Sequence, residues 1–318
     1  MPRRPLGKTG LKLTELTLGT WGLSGDGYGA VEESVQARVI ERALEMGIHT
    51  IETADAYGAG RMERLVGEVL ARRADVADRV VIVTKGGTDR TTSPPRKRFD
   101  GEYIRASVER SRRRLGRDKI DVYLLHSPRA DVFASSEAVD ALLEMKEQGK
   151  IAHWGVSAGD VAVGRTALRR GAEAIEVAYN LLRSTDLHRL AGEIMVSGAG
   201  VLARSTLAYG LLSGHWRVDR DFGPGDHRSD RWSKPELERR IEQLSGLRFL
   251  LNRDVLTMRA AAVRFVLSNQ LVTTAVLGPR SVLQAEELVR EVGAGPVYLR
   301  DADLARLPHA LDLMGIEV

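Results

Sequence analysis

The sequence predicts an α/β protein closed as a (β/α)8 TIM barrel, with an N-terminal β-hairpin and long loops at the C-terminal face of the barrel. Three observations carry this reading. Short β-branched or apolar runs alternate along the chain with segments of helical period. The alternation recurs eight times. Polar residues of catalytic type stand at the ends of several of the runs, where a barrel keeps its site. The chain has 318 residues; a barrel takes about 250 residues before insertions, so residues 1–318 read as a single domain.

The opening residues read as a hairpin in which Arg4 to Leu6 and Leu11 to Leu13 flank the turn Gly7–Lys8–Thr9–Gly10. Strands are expected near 15–20, 48–53, 79–84, 120–125, 151–156, 174–179, 200–204 and 272–277. Amphipathic helices are expected near 33–46, 61–72, 101–116, 136–148, 160–170, 186–197, 254–269 and 281–292. The segment 101–116 shows the pattern clearly, with Ile104, Val108 and Leu115 on one face and a run of arginines on the other. Strands that alternate with helices favour a parallel sheet. An open doubly wound sheet is the alternative to closure; it wants G-x-G-x-x-G between its first strand and a helix. Gly19, Gly22, Gly25, Gly27 and Gly29 follow the first strand without that spacing. Thr20, Glu52, Lys85, His126 and Ser157 each stand at or just past a strand's end, although any parallel α/β sheet places its site there. Segments 86–100 and 205–235 are rich in Gly, Pro, Ser and charge and read as long loops of the functional kind.

Composition narrows the classes. The apolar share of 43% supplies a sizeable core, and the charged share of 28% suits a soluble surface. Net charge is +4, from 47 basic and 43 acidic residues. No basic domain, heptad run or RNA-binding aromatic motif is present, so nucleic acid is not an expected partner. There is no cysteine, which excludes disulfides and cysteine-ligated metals. The seven histidines form no H-x-H or H-E-x-x-H set, so no metal is expected. The N-terminal MPRRPLGKTG carries charge with no apolar run behind it, unlike a signal peptide. No stretch approaches ~18 consecutive apolar residues. The expectation is a cytoplasmic protein with no membrane partner.

The segments PLGKTGLKLTELTLGTWG, GIHTIETADAYGAGRMERLVGEVL, VIVTKGG, ASVERSRRRLGRDKIDVYLLHSP, GKIAHWGVS, EVAYNLL, LARSTLAYGLLSG and VTTAVLGPRSVLQAEEL occur in this order. Together they make the chain resemble the aldo-keto reductase family over nearly its whole length. The resemblance implies a catalytic tetrad in which Tyr57, Lys85 and His126 match the family's Tyr, Lys and His. The fourth position holds Glu52 where the family carries Asp: ETADAYG stands where DTAD-x-YG is usual. Chemistry explains the residue types. A carbonyl oxygen that receives a hydride also needs a proton, and a free phenol with a pKa of about 10 is a slow acid at neutral pH. A cation held against the phenol lowers that pKa; Lys85 is the candidate, with Glu52 fixing it. His126 is expected to bond the substrate oxygen. A glutamate stem is one methylene longer than aspartate and leaves two outcomes open: Lys85 displaced by ~1 Å, a misplacement that can cost ~100-fold in rate, or the pairing kept through small compensating backbone shifts. Asp55 is read as a structural hydrogen-bonding residue.

The resemblance also implies a nicotinamide dinucleotide, NADP(H) ahead of NAD(H). Ser157 and Glu176 would hold the carboxamide, Glu176 where the family has Gln, and Ala158 stands where an Asn is usual. Arg204 occupies the place of a ring that stacks on the nicotinamide, a role a guanidinium plane can take. Ser205, Leu207, Gly210 and Leu212 match the pyrophosphate loop. Gly278, Arg280 and Gln284 match the adenosine end, with Arg280 for the 2′-phosphate. That end lies at a helix N-terminus, which attracts phosphate. Trp21 is expected in the substrate pocket, and His215, Trp216 and Trp232 near its mouth. Arg96, Lys97 and Arg98 read first as a solvated charge run and second as an attraction for acidic substrates. Two functions follow: an enzyme acting on a small carbonyl or alcohol, in either direction, or a nicotinamide-binding regulatory or partner subunit with little turnover. The substitutions around the nicotinamide, Glu52, Ala158 and Glu176, keep the second open. An unrelated metal-dependent barrel enzyme has no support in the residues.

Overall fold

The structure, a computed structural model, describes residues 1–223, 225–293 and 298–317. The chain opens with the antiparallel hairpin β1 (Arg3–Pro5) and β2 (Lys12–Thr14). Barrel strands β3 (Leu16–Gly19), β4 (Thr50–Glu52) and β5 (Val81–Gly86) follow. A small hairpin, β6 (Thr88–Asp89) and β7 (Arg96–Lys97), leaves the barrel after β5. The barrel is completed by β8 (Ile120–His126), β9 (Ile151–Ser157), β10 (Ala174–Ala178), β11 (Gly200–Arg204) and β12 (Val272–Leu277). All eight barrel strands are parallel and run in chain order round the barrel, which closes where Leu16, Thr17 and Leu18 pair with Ala275, Val276 and Leu277. Closure settles the choice that the sequence alone left open.

The helices are α1 (Glu33–Glu45), α2 (Arg61–Arg72), α3 (Ala74–Ala77), α4 (Gly101–Leu115), α5 (Glu137–Glu147), α6 (Val161–Arg169), α7 (Thr185–Ser197), α8 (Lys234–Ser245), α9 (Met258–Ser268), α10 (Val282–Gly293) and α11 (Asp301–Leu313). Eight of them coincide with the expected segments. Three do not. The capping box of α8, in which Ser233 and Glu236 bond each other's backbone N–H groups, begins inside the stretch read as loop. Pro308 lies inside α11 and argues against a helix there. The four-residue α3 is too short for a periodic signal. The helix expected from 254 starts instead at Met258, because the Thr257 hydroxyl accepts from Ala260 N at 3.1 Å and caps it.

Two apolar cores result. The larger lies between the strands and the helices, where Ile104, Val108 and Leu115 of α4 are buried as the periodicity predicts. The smaller fills the lower barrel: Val83, Val122, Leu124, Ala174 and Leu202 meet Leu6 and Leu13 of the hairpin region. The hairpin therefore plugs the barrel's N-terminal end. The Gly7 turn allows this, with a φ of 51° where the Lys8 amide bonds Gly198 O at 2.9 Å. Strand alternation then dictates what stands above this core. Two residues beyond Val83 is Lys85; two beyond Leu124 is His126; two beyond Ala174 is Glu176; two beyond Leu202 is Arg204. Each shares a strand face with its apolar predecessor, so the interior changes from hydrocarbon to charge within one layer.

Truncating the plug tests this arrangement. Leu13→Ala is expected to lower stability by ~2–5 kcal/mol, read as a shift in the denaturant midpoint. Leu256→Ala, at an exposed site, is expected to stay within ~0.5 kcal/mol. Equal shifts would separate the hairpin from the barrel core.

Candidate active site

The charged layer forms the floor of a cavity of about 970 Å³ at the C-terminal face. Glu52 ends β4, Lys85 lies near the end of β5, and Glu176 is central on β10; all three are buried. Lys85 Nζ is in direct contact with Glu52 Oε1. It also lies 3.3 Å from Glu176 Oε2 and 3.4 Å from Glu176 Oε1. The Tyr57 hydroxyl donates to the same Glu52 Oε1 at 3.3 Å. One carboxylate oxygen thus touches both the phenol and the ammonium. The ammonium lies 5.2 Å from the centroid of the Tyr57 ring.

Tyr57 heads a short 3-10 turn held from several sides. Gly58 N donates to Asp26 Oδ2 at 2.7 Å, Arg61 to Ser24 O at 2.6 Å, and Arg90 to Ala56 O at 2.7 Å. Gly58 and Ala59 both take positive φ, at 57° and 54°, which tightens the turn enough to bring the ring over the cavity. The phenol does not follow the expectation of a lowered pKa. Burial pushes it well above its ordinary value, and the Glu176 carboxylate adds to the rise against an opposing Arg204. Lys85 is itself pushed down by burial, with Glu176 opposing. Desolvation outweighs the neighbouring cation because the charged form of either group loses water that one partner does not replace.

The His126 ring stands edge-on to Tyr57, with centroids 5.8 Å apart at 88°. Its Nδ1 is buried without a hydrogen-bond partner. Burial, then the charges of Lys85, Lys97 and Arg204, hold its pKa well below the ordinary imidazole range, so the ring is neutral. Lys97 reaches from β7 to bond His126 O at 2.7 Å and Thr88 Oγ1 at 3.0 Å. The basic run therefore divides: Lys97 lines the cavity, Arg98 pairs with Asp100 and Asp89, and Arg96 is exposed.

The expected cofactor positions fall along one wall. Ser157 pairs in register with Glu176, and the Ala158 amide bonds Glu176 O at 2.8 Å. Arg204 donates to Ala158 O at 3.1 Å, which holds its guanidinium next to that residue. Glu176 Oε2 has no hydrogen-bond partner. That oxygen forms an ion pair with the Lys85 ammonium at 3.3 Å, and a carboxylate of the cavity lining that keeps hydrogen-bond capacity fits the NH2 of a carboxamide. Ser205, Leu207 and Gly210 line the same cavity. Leu212 does not: it is fully buried in the core, and its amide bonds Leu207 O, so it supports the loop from beneath. Gly278, Arg280 and Gln284 line the far end, near the N-terminus of α10. The Arg280 guanidinium is already engaged. Its Nε donates to Gly22 O at 3.1 Å, and one terminal nitrogen donates to Gly29 O at 2.9 Å and Ala30 O at 3.3 Å.

Trp21 lines the cavity and packs on Tyr28 at 4.9 Å and on His227 at 5.1 Å. His215 and Trp216 also line it, whereas Trp232 backs Trp216 from 5.5 Å. Sequence reasoning missed Tyr28, Asp226 and Arg228. Tyr28 and Asp226 form a β-bridge that stitches the loop after β3 to the loop after β11, and Arg228 lies over the Tyr28 ring at 4.7 Å. Only a long-range contact reveals that group; no local motif marks it. Among the described residues no helix is long and apolar enough to cross a membrane.

The profile of the Aldo/keto reductase family matches residues 15–307. An Escherichia coli protein described as an NADH-specific methylglyoxal reductase is 30% identical, covering 95% of this chain and 96% of its own length. A Bacillus subtilis aldo-keto reductase is 28% identical over 90% of this chain and 87% of its own. Among solved structures, a holo-form aldo-keto reductase from Bacillus halodurans superposes with a TM-score of 0.81 at 27% identity, covering 98% of this chain and 96% of that one. A glycerol dehydrogenase from Gluconobacter oxydans gives 0.85 at 27% identity, with 99% and 97% covered.

Asp55 lies just behind the site and yields a stability test. Burial and the charge of Glu63 push its carboxyl up to about 7, although Ser107 donates to it at 3.0 Å. The folded protein thus binds this proton more tightly than the unfolded chain. Ionisation costs stability as pH rises from about 4 to about 7, and the cost is constant above. Asp55→Asn is expected to be more stable than wild type by ~2–4 kcal/mol at about pH 8 and by nothing at about pH 4. Denaturant melts at the two pH values measure it; a difference independent of pH would contradict the assignment.

Proposed function

This chain belongs to the aldo/keto reductase family, and we propose that it interconverts an aldehyde, ketone or sugar carbonyl and its alcohol with NADP(H), using Tyr57 as the general acid/base. Family membership makes it an oxidoreductase that acts on small carbonyl or alcohol substrates with a nicotinamide cofactor. The contact of Glu52 Oε1 with both Tyr57 and Lys85, at the floor of the cavity, is the observation that carries the finer reading.

A bound nicotinamide dinucleotide supplies the hydride in reduction and accepts it in oxidation. Tyr57 gives its phenolic proton to the substrate oxygen in one direction and takes it back in the other. The raised pKa keeps the phenol protonated, which suits the reductive direction. Lys85, at 5.2 Å from the ring, stabilises the phenolate once the proton has left. Neutral His126 offers a ring N–H to the substrate oxygen and so helps orient the carbonyl. Glu52 fixes the relative positions of Lys85 and Tyr57; its longer stem lets one oxygen meet both groups. Ser157 and Glu176 hold the carboxamide, Arg204 lies beside the ring, and Ser205, Leu207 and Gly210 form the loop for the pyrophosphate. Trp21 closes the substrate side.

NADP(H) is the proposed cofactor because Arg280 keeps a terminal nitrogen outside its three loop bonds, at the end of the cavity where helix α10 begins. NAD(H) is the second reading; it is favoured by the engagement of the rest of that guanidinium and by the description of the Escherichia coli relative.

Purified protein mixed with NADPH or NADH and a panel of aldehydes, ketones and sugars is expected to oxidise NADPH, seen as loss of the reduced nicotinamide's near-ultraviolet absorbance. Tyr57→Phe is expected to lose ~10²–10⁴-fold in kcat. Cofactor bound tightly but oxidised by no member of the panel, and reduced by no alcohol, would favour the partner-subunit reading instead. Arg280→Ala is expected to weaken NADPH by ~10-fold or more relative to NADH; equal losses would remove Arg280 from 2′-phosphate recognition. Because burial raises the Tyr57 pKa, the reduction rate is expected to hold through neutral pH and to fall only in the alkaline range; a fall centred near neutrality would point to another acid.

A further inference from the structure

Glu176 carries a charge that its neighbours answer only in part. Lys85 is the nearest cation, yet its ammonium is already in contact with Glu52, and Glu176 approaches it only at 3.3–3.4 Å. One ammonium therefore serves two carboxylates, all three side chains being at most 3% exposed. Neither of two further cations at the floor pairs with Glu176: Arg204 bonds Ala158 O and Lys97 bonds His126 O, and the charge of Arg204 is the same in wild type and in Glu176 variants. Glu176 lines the cavity, and its buried Oε2 accepts no hydrogen bond within the protein. A desolvated carboxylate in this position draws in a ligand that is cationic as well as one that offers N–H groups.

The two redox forms of nicotinamide differ in this property. Both carry the same carboxamide, but the oxidised ring bears a positive charge and the reduced ring is neutral. We propose that Glu176 makes this site hold the oxidised dinucleotide more tightly than the reduced one. The inference rests on the assignment of the cavity to a nicotinamide cofactor. At a separation of ~6 Å and an effective dielectric of ~20, a unit charge contributes roughly 10- to 100-fold to the ratio of the two affinities. By linkage the same factor shifts the equilibrium between the bound reduced and bound oxidised dinucleotide toward the oxidised form. Glu176 is then a determinant of the redox preference of the site, beyond its hydrogen bond to the carboxamide.

The test is a binding measurement and needs no substrate. Dissociation constants for NADP⁺ and NADPH, and for NAD⁺ and NADH, are measured by calorimetry on wild type, Glu176→Gln and Glu176→Asp. Wild type is expected to prefer the oxidised form, and Glu176→Gln to reduce that preference by roughly 10- to 100-fold, chiefly by weakening the oxidised form. Glu176→Asp, which keeps the charge, is expected to retain most of it. A Glu176→Gln protein whose oxidised-to-reduced ratio stays within about threefold of wild type would overturn the inference and leave the cofactor assignment intact. So would a wild type that binds the reduced form as tightly as the oxidised, a result that does not depend on any variant folding. Failure of wild type to bind any of the four dinucleotides would instead overturn the assignment of the cavity, and the inference with it.

Discussion

Lys85 brings a positive charge into a barrel interior that the hairpin plug and the lower hydrophobic layer have already sealed from water. A lone ammonium there is costly to desolvate, and its attraction to neighbours is strong for the same reason. Glu52 and Glu176 reach it from strands on opposite sides. Tyr57 takes its orientation from Glu52. The floor of the site is therefore one electrostatic unit: removal of Lys85 leaves two buried carboxylates without a cation, and breaking a buried pair in this way typically costs ~3–5 kcal/mol. The neighbouring face of β5 carries a second set of polar contacts outward. Thr84 donates to Glu63 Oε1 at 2.7 Å, and Arg114 of α4 pairs with the other oxygen of that carboxylate at 3.0 Å. The strand that presents Lys85 is thus held from both faces.

Glu52 changes how such a site works. A shorter carboxylate on this backbone would have less reach. Here a single oxygen meets phenol and ammonium together, so the anion lies between the acid and the cation that would activate it. Burial, with the Glu176 carboxylate adding to it, raises the pKa of this phenol and keeps it a proton donor, where the sequence suggested a cation-lowered one. Burial decides this balance, since the cation nearest the phenol is itself destabilised by the same dry surroundings.

Above the floor, the cavity is roofed by segments remote in sequence. Arg280, just before α10, ties the carbonyls of Gly22, Gly29 and Ala30. The loop after β11 joins through the Tyr28–Asp226 bridge and the bond from His227 N to Gly27 O at 2.9 Å. Trp21, Tyr28 and His227 pack mutually within about 5 Å beneath this join. The residues proposed for the cofactor's adenosine end and those proposed for the substrate therefore share one wall.

The β/α alternation, the eight barrel strands and the residues at their upper ends were all legible in the chain, because a period of 2 or 3.6 is a local property. Thr20, Glu52, Lys85, His126 and Ser157 could be picked out by type and position, whereas Glu176 was marked only by the family resemblance. Other features were legible in principle but missed: the capping box at Ser233 is a local signal, and the last helix, which holds Pro308, shows that a proline is tolerated where tertiary packing holds the helix. What no local pattern contains is the closure of β12 onto β3, the joining of two loops by Tyr28 and Asp226, and the turning of Leu212 into the core. Nor could spacing reveal that one ammonium is shared by two carboxylates, or which way burial moves the Tyr57 proton. These depend on distances between residues tens to hundreds of positions apart and on how much water their packing excludes. The sequence by itself determined which chemical groups face the barrel's interior; the tertiary structure decided which of them touch, and how strongly.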